Sequence, residues 1–187
     1  MSQDRNKRVC PVGNAGGLDN KLRTFLQNPH KILTPYLRDG MTALDIGCGP
    51  GVFSREMAKM VGASGRVIAA DLQEGMLQIL KKKIKGTNLE KIIELHKCED
   101  KRIGISEKVD FILAFYMVHE LPDKDKFFEE VRSLLKEDGL LLIVEPNFHV
   151  SKKEFNKMLE SLIGLGFEII DRPKIFFSRT VLVKKAD

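Results

Sequence analysis

The chain has 187 residues, 43% of them hydrophobic and 30% charged, a size at which folding buries roughly 70% of the unfolded surface and needs no metal or disulfide to hold a core. Its apolar runs, Leu140 to Val144 among them, fall far below the roughly 20 residues of a membrane span. The net charge of +5, from 31 basic and 26 acidic residues, permits an anionic partner without demanding one, because the densest basic run, Lys81-Lys82-Lys83 with Lys85, has an apolar stripe beneath it.

In chain order, residues 1–17 are polar and glycine-rich and lack the apolar stretch of a secretion signal. Leu18 to Gln27 carries Leu22, Phe25 and Leu26 at helical spacing, and a second short helix is expected over His30–Leu37. Residues 1–38 are therefore read as an N-terminal helical lid and residues 39–187 as the core of a single domain. From there strands and helices alternate. Strands are expected at Thr42–Ile46, Arg66–Asp71, Lys91–His96, Val109–Phe115 and Gly139–Glu145, and helices at Ser54–Val61, Glu74–Ile84 and Asp123–Lys136. Strands this apolar, separated by helices, form a parallel sheet covered on both faces. After a helix over Ser151–Leu162 the rhythm breaks. A strand opening at Gly166-Phe167 and another over Phe176–Val183 are too close in sequence for a crossover, so they pair antiparallel. The expectation is an α/β fold with a seven-stranded, mostly parallel sheet, an antiparallel C-terminal hairpin and helices on both faces.

The strongest motif is Asp45-Ile46-Gly47-Cys48-Gly49-Pro50-Gly51, between the first strand and the first core helix. A glycine turn there lets backbone approach a ligand closely, beside the unpaired N–H groups of a helix start. Its G-x-G-x-G spacing differs from the dinucleotide fingerprint, and Asp45 would repel a diphosphate while suiting a cationic ligand. Asp71 ends the second strand twenty residues beyond Gly51, where a carboxylate accepts from ribose hydroxyls. Glu99 and Asp100 follow the third strand, within reach of an adenine amino group.

Asp45 to Gly51, together with Asp71 and the Glu99-Asp100 pair, resembles the class I S-adenosylmethionine-dependent methyltransferases, and more narrowly the methyltransferase type 11/25-like group, over residues from about 40 to 184. The resemblance implies a Rossmann-like fold and S-adenosylmethionine as cofactor. By it, Asp45, Gly47, Gly49 and Gly51 lie along the methionine part and Asp71 holds the ribose. Leu72 packs on the adenine, Glu99 or Asp100 meets its amino group, and Phe115 closes the pocket. The implied function is transfer of a methyl group to a small, partly hydrophobic molecule. Two alternatives are a non-catalytic cofactor-binding regulator or partner subunit of the same fold, and an NAD-dependent oxidoreductase, against which the glycine spacing, Asp45 and the hairpin all count.

Methyl transfer from a sulfonium depends mainly on in-line positioning, with a base needed only where the nucleophile must lose a proton. Groups at the carboxyl ends of the fourth and fifth strands qualify: His119, Glu120, Glu145 and His149 are expected on one rim. Tyr116, His119 and Glu120 are the candidate catalytic residues, His119 as general base because its ordinary pKa lies near neutrality. The run Phe115-Tyr116-Met117-Val118 favours an acceptor with an apolar part. It also lacks the Pro-Pro-aromatic turn that stacks a flipped base, so nucleic acid is disfavoured. Neither a metal centre nor a membrane partner is expected, and the oligomeric state stays open. Cys10, Cys48 and Cys98, without C-x-x-C spacing, read as reduced thiols of a cytoplasmic protein. Cys10 could meet a soft substrate such as arsenite, but inert thiols are the simpler reading.

Overall fold

The computed structural model describes residues 27–186. Cys10, and all of the expected first helix except Gln27, lie outside the described residues. The elements are α1 (Pro29–Leu33), β1 (Thr42–Ile46), α2 (Val52–Val61), β2 (Arg66–Asp71), α3 (Glu74–Ile84), β3 (Ile93–Lys97), β4 (Val109–Phe115), α4 (Lys124–Leu134), β5 (Leu135–Pro146), α5 (Lys152–Gly164), β6 (Phe167–Asp171) and β7 (Ser178–Lys185). Among the described residues no helix is long and apolar enough to cross a membrane.

The seven strands form one sheet in the order β3-β2-β1-β4-β5-β7-β6. β1 to β5 pair in parallel, and β7 runs antiparallel between β5 and β6. Side chains alternate across the strands, so the core divides into two layers. Leu44, Ile68, Ile112 and Ile143 face α4 and α5, while Ala43, Val67, Phe111, Leu113 and Leu142 face α1, α2 and α3. Sheet strands buried on both faces account for the unbroken apolar runs. The expected seven-stranded, mostly parallel sheet with its closing hairpin is the architecture observed.

Several boundaries differ from expectation by a few residues, and three of the differences have a clear local reason. α1 stops at Leu33 rather than Leu37, because Pro35 has no N–H to continue the ladder to Lys31; Tyr36 instead closes a turn onto the Leu33 carbonyl at 2.9 Å. The helix expected over Asp123–Lys136 ends at Leu134, and Leu135 begins β5 by pairing with Val109, while the Lys136 ammonium reaches both carboxylate oxygens of Asp110 at 2.8 Å. Leu135 sits on the helix's apolar stripe in sequence, but a strand partner satisfies its backbone as well as burying its side chain. β7 starts at Ser178, not Phe176, since Phe177 adopts φ 52°, a left-handed conformation that ends an extended strand.

Candidate functional site

Strand order reverses between β1 and β4, and in open α/β sheets the crevice beyond the carboxyl ends at that point is where ligands bind. The glycine turn leaves β1 there. Gly47 and Cys48 donate to the Ala70 carbonyl at 2.8 and 3.1 Å, folding the turn back over β2. Gly47 has φ 69°, and a Cβ at that position would stand 2.9 Å from the Met117 Cβ; Gly51 has φ 79°, and its Cβ would overlap the buried Leu80 side chain. Both conformation and space therefore require glycine. Gly51→Ala is expected to cost roughly 2–4 kcal/mol, from the left-handed backbone and the displaced Leu80 together. A urea denaturation series checks this, and a loss under about 0.5 kcal/mol would mean the turn relaxes freely.

Two carboxylates lie beneath this turn. Asp45 is 2% exposed and accepts from the Ser54 hydroxyl of α2 at 2.5 Å. Burial pushes its pKa up to about 7, with the Asp71 charge adding to the rise and the Ser54 bond opposing it. Asp71 accepts the Gly49 N–H at 2.8 Å and the Gln73 N–H at 2.7 Å. It thus ties the glycine turn to the start of α3. Burial raises its pKa as well, against the pull of those two bonds. Ser54 escaped the sequence reading, since a serine in a helix's first turn gives no sign that it aims back at a strand.

Next to Asp71, Leu72 is an exposed apolar side chain at the crevice. Cys98 donates its N–H to the Asp71 carbonyl at 3.0 Å, and Glu99 and Arg102 then close a tight turn through a pair of backbone bonds. That turn holds Glu99 and Asp100 on the exposed rim beyond β3. Burial drives the Cys98 thiol to about 12 and the Cys48 thiol well above its ordinary value, so both are protonated and poorly nucleophilic. Phe115 is buried at the end of β4, its ring 4.3 Å from Phe53 and 4.6 Å from Tyr116.

Across the crevice, Tyr116 adopts φ 58°, an uncommon conformation for a bulky residue. Its hydroxyl hydrogen-bonds Ser178 Oγ at 2.7 Å and the Gln27 amide, and Gln27 also donates to the Phe176 carbonyl at 3.0 Å. His119 and Glu120 lie on a short helical turn, Val118–Glu120. The Glu145 carboxylate, 1% exposed at the end of β5, accepts the Val118 N–H at 3.0 Å and bonds His119 Nδ1 at 2.7 Å. This bond raises the His119 pKa, with burial opposing. The His149 ring stacks on His119 with centroids 5.5 Å apart, and Phe148 packs at 4.8 Å on His149. The structure therefore brings His119, Glu145 and His149 together, as the strand adjacency suggested. The Tyr116 hydroxyl turns instead toward β7.

A ligand joining a cationic amino-acid end, a ribose and an adenine meets matching chemistry along this crevice. A buried carboxylate lies under the glycine turn, a second carboxylate keeps acceptor capacity at the end of β2, and an exposed leucine stands beside it. Residues 37–170 match the family described as Methyltransferase domain. In structure the chain is similar to a SAM dependent methyltransferase from Aquifex aeolicus, with a TM-score of 0.85 and 29% identity over 95% of this chain and 100% of that one. It is 34% identical over 110 residues to demethylmenaquinone methyltransferase of Lactobacillus johnsonii, covering 58% of this chain and 45% of the relative. It is 29% identical over 141 residues to ribosomal protein L11 methyltransferase of Dictyoglomus turgidum, covering 75% of this chain and 43% of that protein. The chain thus spans less than half the length of either relative. With the glycine turn, its acids and the strand order in agreement, the chain belongs to the methyltransferase domain family.

Proposed function

We propose that this protein methylates a small, partly apolar molecule. The observation that carries the reading is the aromatic rim on the acceptor side of the crevice. Phe148, Phe176 and Phe177 are 70%, 48% and 60% exposed; the Phe176 and Phe177 rings meet edge to face at 4.3 Å, Phe148 packs on His149, and the 3.1 Å bond from the Asn147 N–H to the Phe177 carbonyl ties the two segments together. Three large apolar side chains held in water at one edge serve a ligand better than they serve the fold. The name of the Lactobacillus johnsonii relative, a demethylmenaquinone methyltransferase, supports an acceptor with a flat ring and an apolar tail.

The residue roles follow the chemistry. Bound S-adenosylmethionine supplies an electrophilic methyl group on a sulfonium sulfur. Asp45 offers negative charge to its cationic end, with Gly47, Gly49 and Gly51 letting backbone come close. Asp71 takes the ribose, Leu72 the adenine face, and Glu99 or Asp100 the amino group, while Phe115 and Phe53 keep water from the transfer line. Tyr116 shapes the acceptor pocket, and His119 and Glu120 stand where an acceptor proton would leave. Of the lid read over residues 1–38, α1 and Leu37 pack into the core, so any lid role falls on the chain before α1. Gln27, 8% exposed and bonded at Tyr116 and Phe176, supports this by its place at the acceptor end. The free thiols Cys48 and Cys98 support a cytoplasmic setting.

The test pairs calorimetric titration of S-adenosylmethionine, S-adenosylhomocysteine and NAD with methyl transfer from labelled donor onto a panel of hydroxylated aromatics, quinols and L11 protein. Donor binding with label in a ring compound is the expected result. Label in L11 alone would overturn the small-molecule reading. Donor binding without label in any acceptor would favour a regulatory subunit.

A further inference from the structure

We propose that Glu145 is a positioning residue that holds His119 as the base of the transfer step, which places the acceptor among compounds whose nucleophilic atom carries a proton, in the first instance an aromatic or enolic hydroxyl. The inference rests on the methyltransferase reading above and deepens it.

The geometry has one direction only. Glu145 is buried on the last residues of β5 and accepts from two donors at once, the Val118 N–H and His119 Nδ1. An ionised carboxylate donates nothing, so in the neutral imidazole the proton sits on Nδ1 and the lone pair on Nε2. The Val118 bond fixes the carboxylate from the chain segment that carries His119, and the stacked His149 ring limits rotation of the imidazole about its plane. A buried carboxylate spent on a mostly buried histidine adds little to folding, because the ion's desolvation offsets most of the attraction. It does set tautomer, orientation and basicity together, which are the needs of a proton acceptor.

The charged and titratable groups facing His119 are Glu145 from β5, Glu120 from its own turn, Lys124 from α4 and His149 from the segment after β5. Glu145 outweighs the others and raises the histidine's pKa, with Lys124 opposing. In the step itself the acceptor's O–H bond breaks and the proton goes to Nε2. The oxygen's electron pair forms the new bond to the methyl carbon, and the pair of the broken sulfur–carbon bond stays on sulfur, which leaves uncharged. Positive charge passes from sulfonium to imidazolium, beside a carboxylate already in place to receive it. An acceptor that reacts without losing a proton would have no use for this pair.

Nitrogen-15 NMR of the histidine side chains in the full chain, without donor, tests the pair directly. His119 is assigned by the signals that His119→Gln removes. The expected result is the Nδ1–H tautomer at high pH in the wild type, and a titration midpoint that moves to lower pH in Glu145→Gln, whose amide still accepts from Val118. The Nε2–H tautomer, or a midpoint that does not move, overturns the proposal, and the tautomer is read in the wild type. In turnover on a hydroxyl acceptor, His119→Gln is expected to lower kcat about 10²–10⁴-fold. Glu145→Gln is expected to shift the acid limb of the pH profile to lower pH and reduce kcat at constant KM for the donor. A Glu145→Gln enzyme with unchanged kcat and profile overturns the pairing while leaving the methyltransferase reading intact. Failure of the wild type to bind the donor sinks that reading, and the NMR result still decides the pair.

Discussion

Asp71→Ala is expected to weaken S-adenosylmethionine binding by at least 10²-fold, roughly 3 kcal/mol, because the side chain has two kinds of work. One is the contact with the ribose proposed above. The other is internal: its carboxylate accepts from Gly49 in the glycine turn and from Gln73 at the start of α3. Charge-assisted bonds of this kind contribute about 1.5–3 kcal/mol each, and alanine leaves both N–H groups unpaired in a buried turn. Gly49 is then free to drift, so the methionine half of the site loosens along with the ribose half. Asp71→Asn keeps one acceptor but sets an NH2 against an N–H, and is expected to fall between wild type and alanine. Calorimetric titration of the three proteins gives the ranking. Alanine binding within about threefold of wild type, with the fold intact, would remove Asp71 from the site.

The parts of the molecule that were legible in the sequence are those where local and tertiary preferences coincide. Thr42–Ile46, Arg66–Asp71, Glu74–Ile84 and Val109–Phe115 have the bounds the residue pattern suggests. Central strands buried on both faces need continuous apolar runs, and the turns that end them need glycine or acid. Leu135 is the opposite case. It completes a helical stripe, yet pairing with Val109 gives it equal burial and a strand partner, and only the neighbouring β4 decides between them. Phe177 is another, since nothing in a pair of phenylalanines announces a left-handed backbone.

The site divides in the same way. Spacing alone marks Gly47, Gly49, Gly51 and the acids at strand ends, because a backbone that must approach a ligand has few residue choices. Strand adjacency brings His119, Glu120, Glu145 and His149 to one rim, but it does not say which carboxylate takes the imidazole. That choice belongs to the depth of Glu145 on β5 and to the Val118 N–H that anchors it. The turn of the Tyr116 hydroxyl toward Ser178 and Gln27 depends on contacts 62 and 89 residues away in sequence.

Asp45→Asn is expected to stabilise the free protein at alkaline pH while impairing its use of the donor. The folded-state pKa of Asp45 stands at about 7 because burial disfavours its charge, against 3.8 for an ordinary aspartate. A raised carboxyl pKa means the folded chain holds a proton that the unfolded chain has released, so stability falls as pH rises between those values. Below about 3.8 both states are protonated and the penalty is absent; above about 7 both are ionised and it is complete, at roughly 2–4 kcal/mol. Asparagine keeps the acceptor for Ser54 and carries no charge, so the variant escapes the penalty. Its stability advantage over wild type should therefore widen from pH 5 to pH 8 in guanidinium denaturation. A cation placed over Asp45 favours the ionised form, so wild-type affinity for S-adenosylmethionine should rise with pH up to about 7, with proton release on binding below it. Calorimetry in buffers of different ionisation enthalpy measures that release, and Asp45→Asn should abolish it. The Asp71 charge also lifts the Asp45 pKa, so Asp71→Ala should narrow the pH dependence and the two substitutions should be non-additive in stability. A stability gap between Asp45→Asn and wild type that is the same at pH 5 and pH 8 would show that Asp45 is not a strained buried carboxylate, and would leave the turn without its charge-based claim on a cationic ligand.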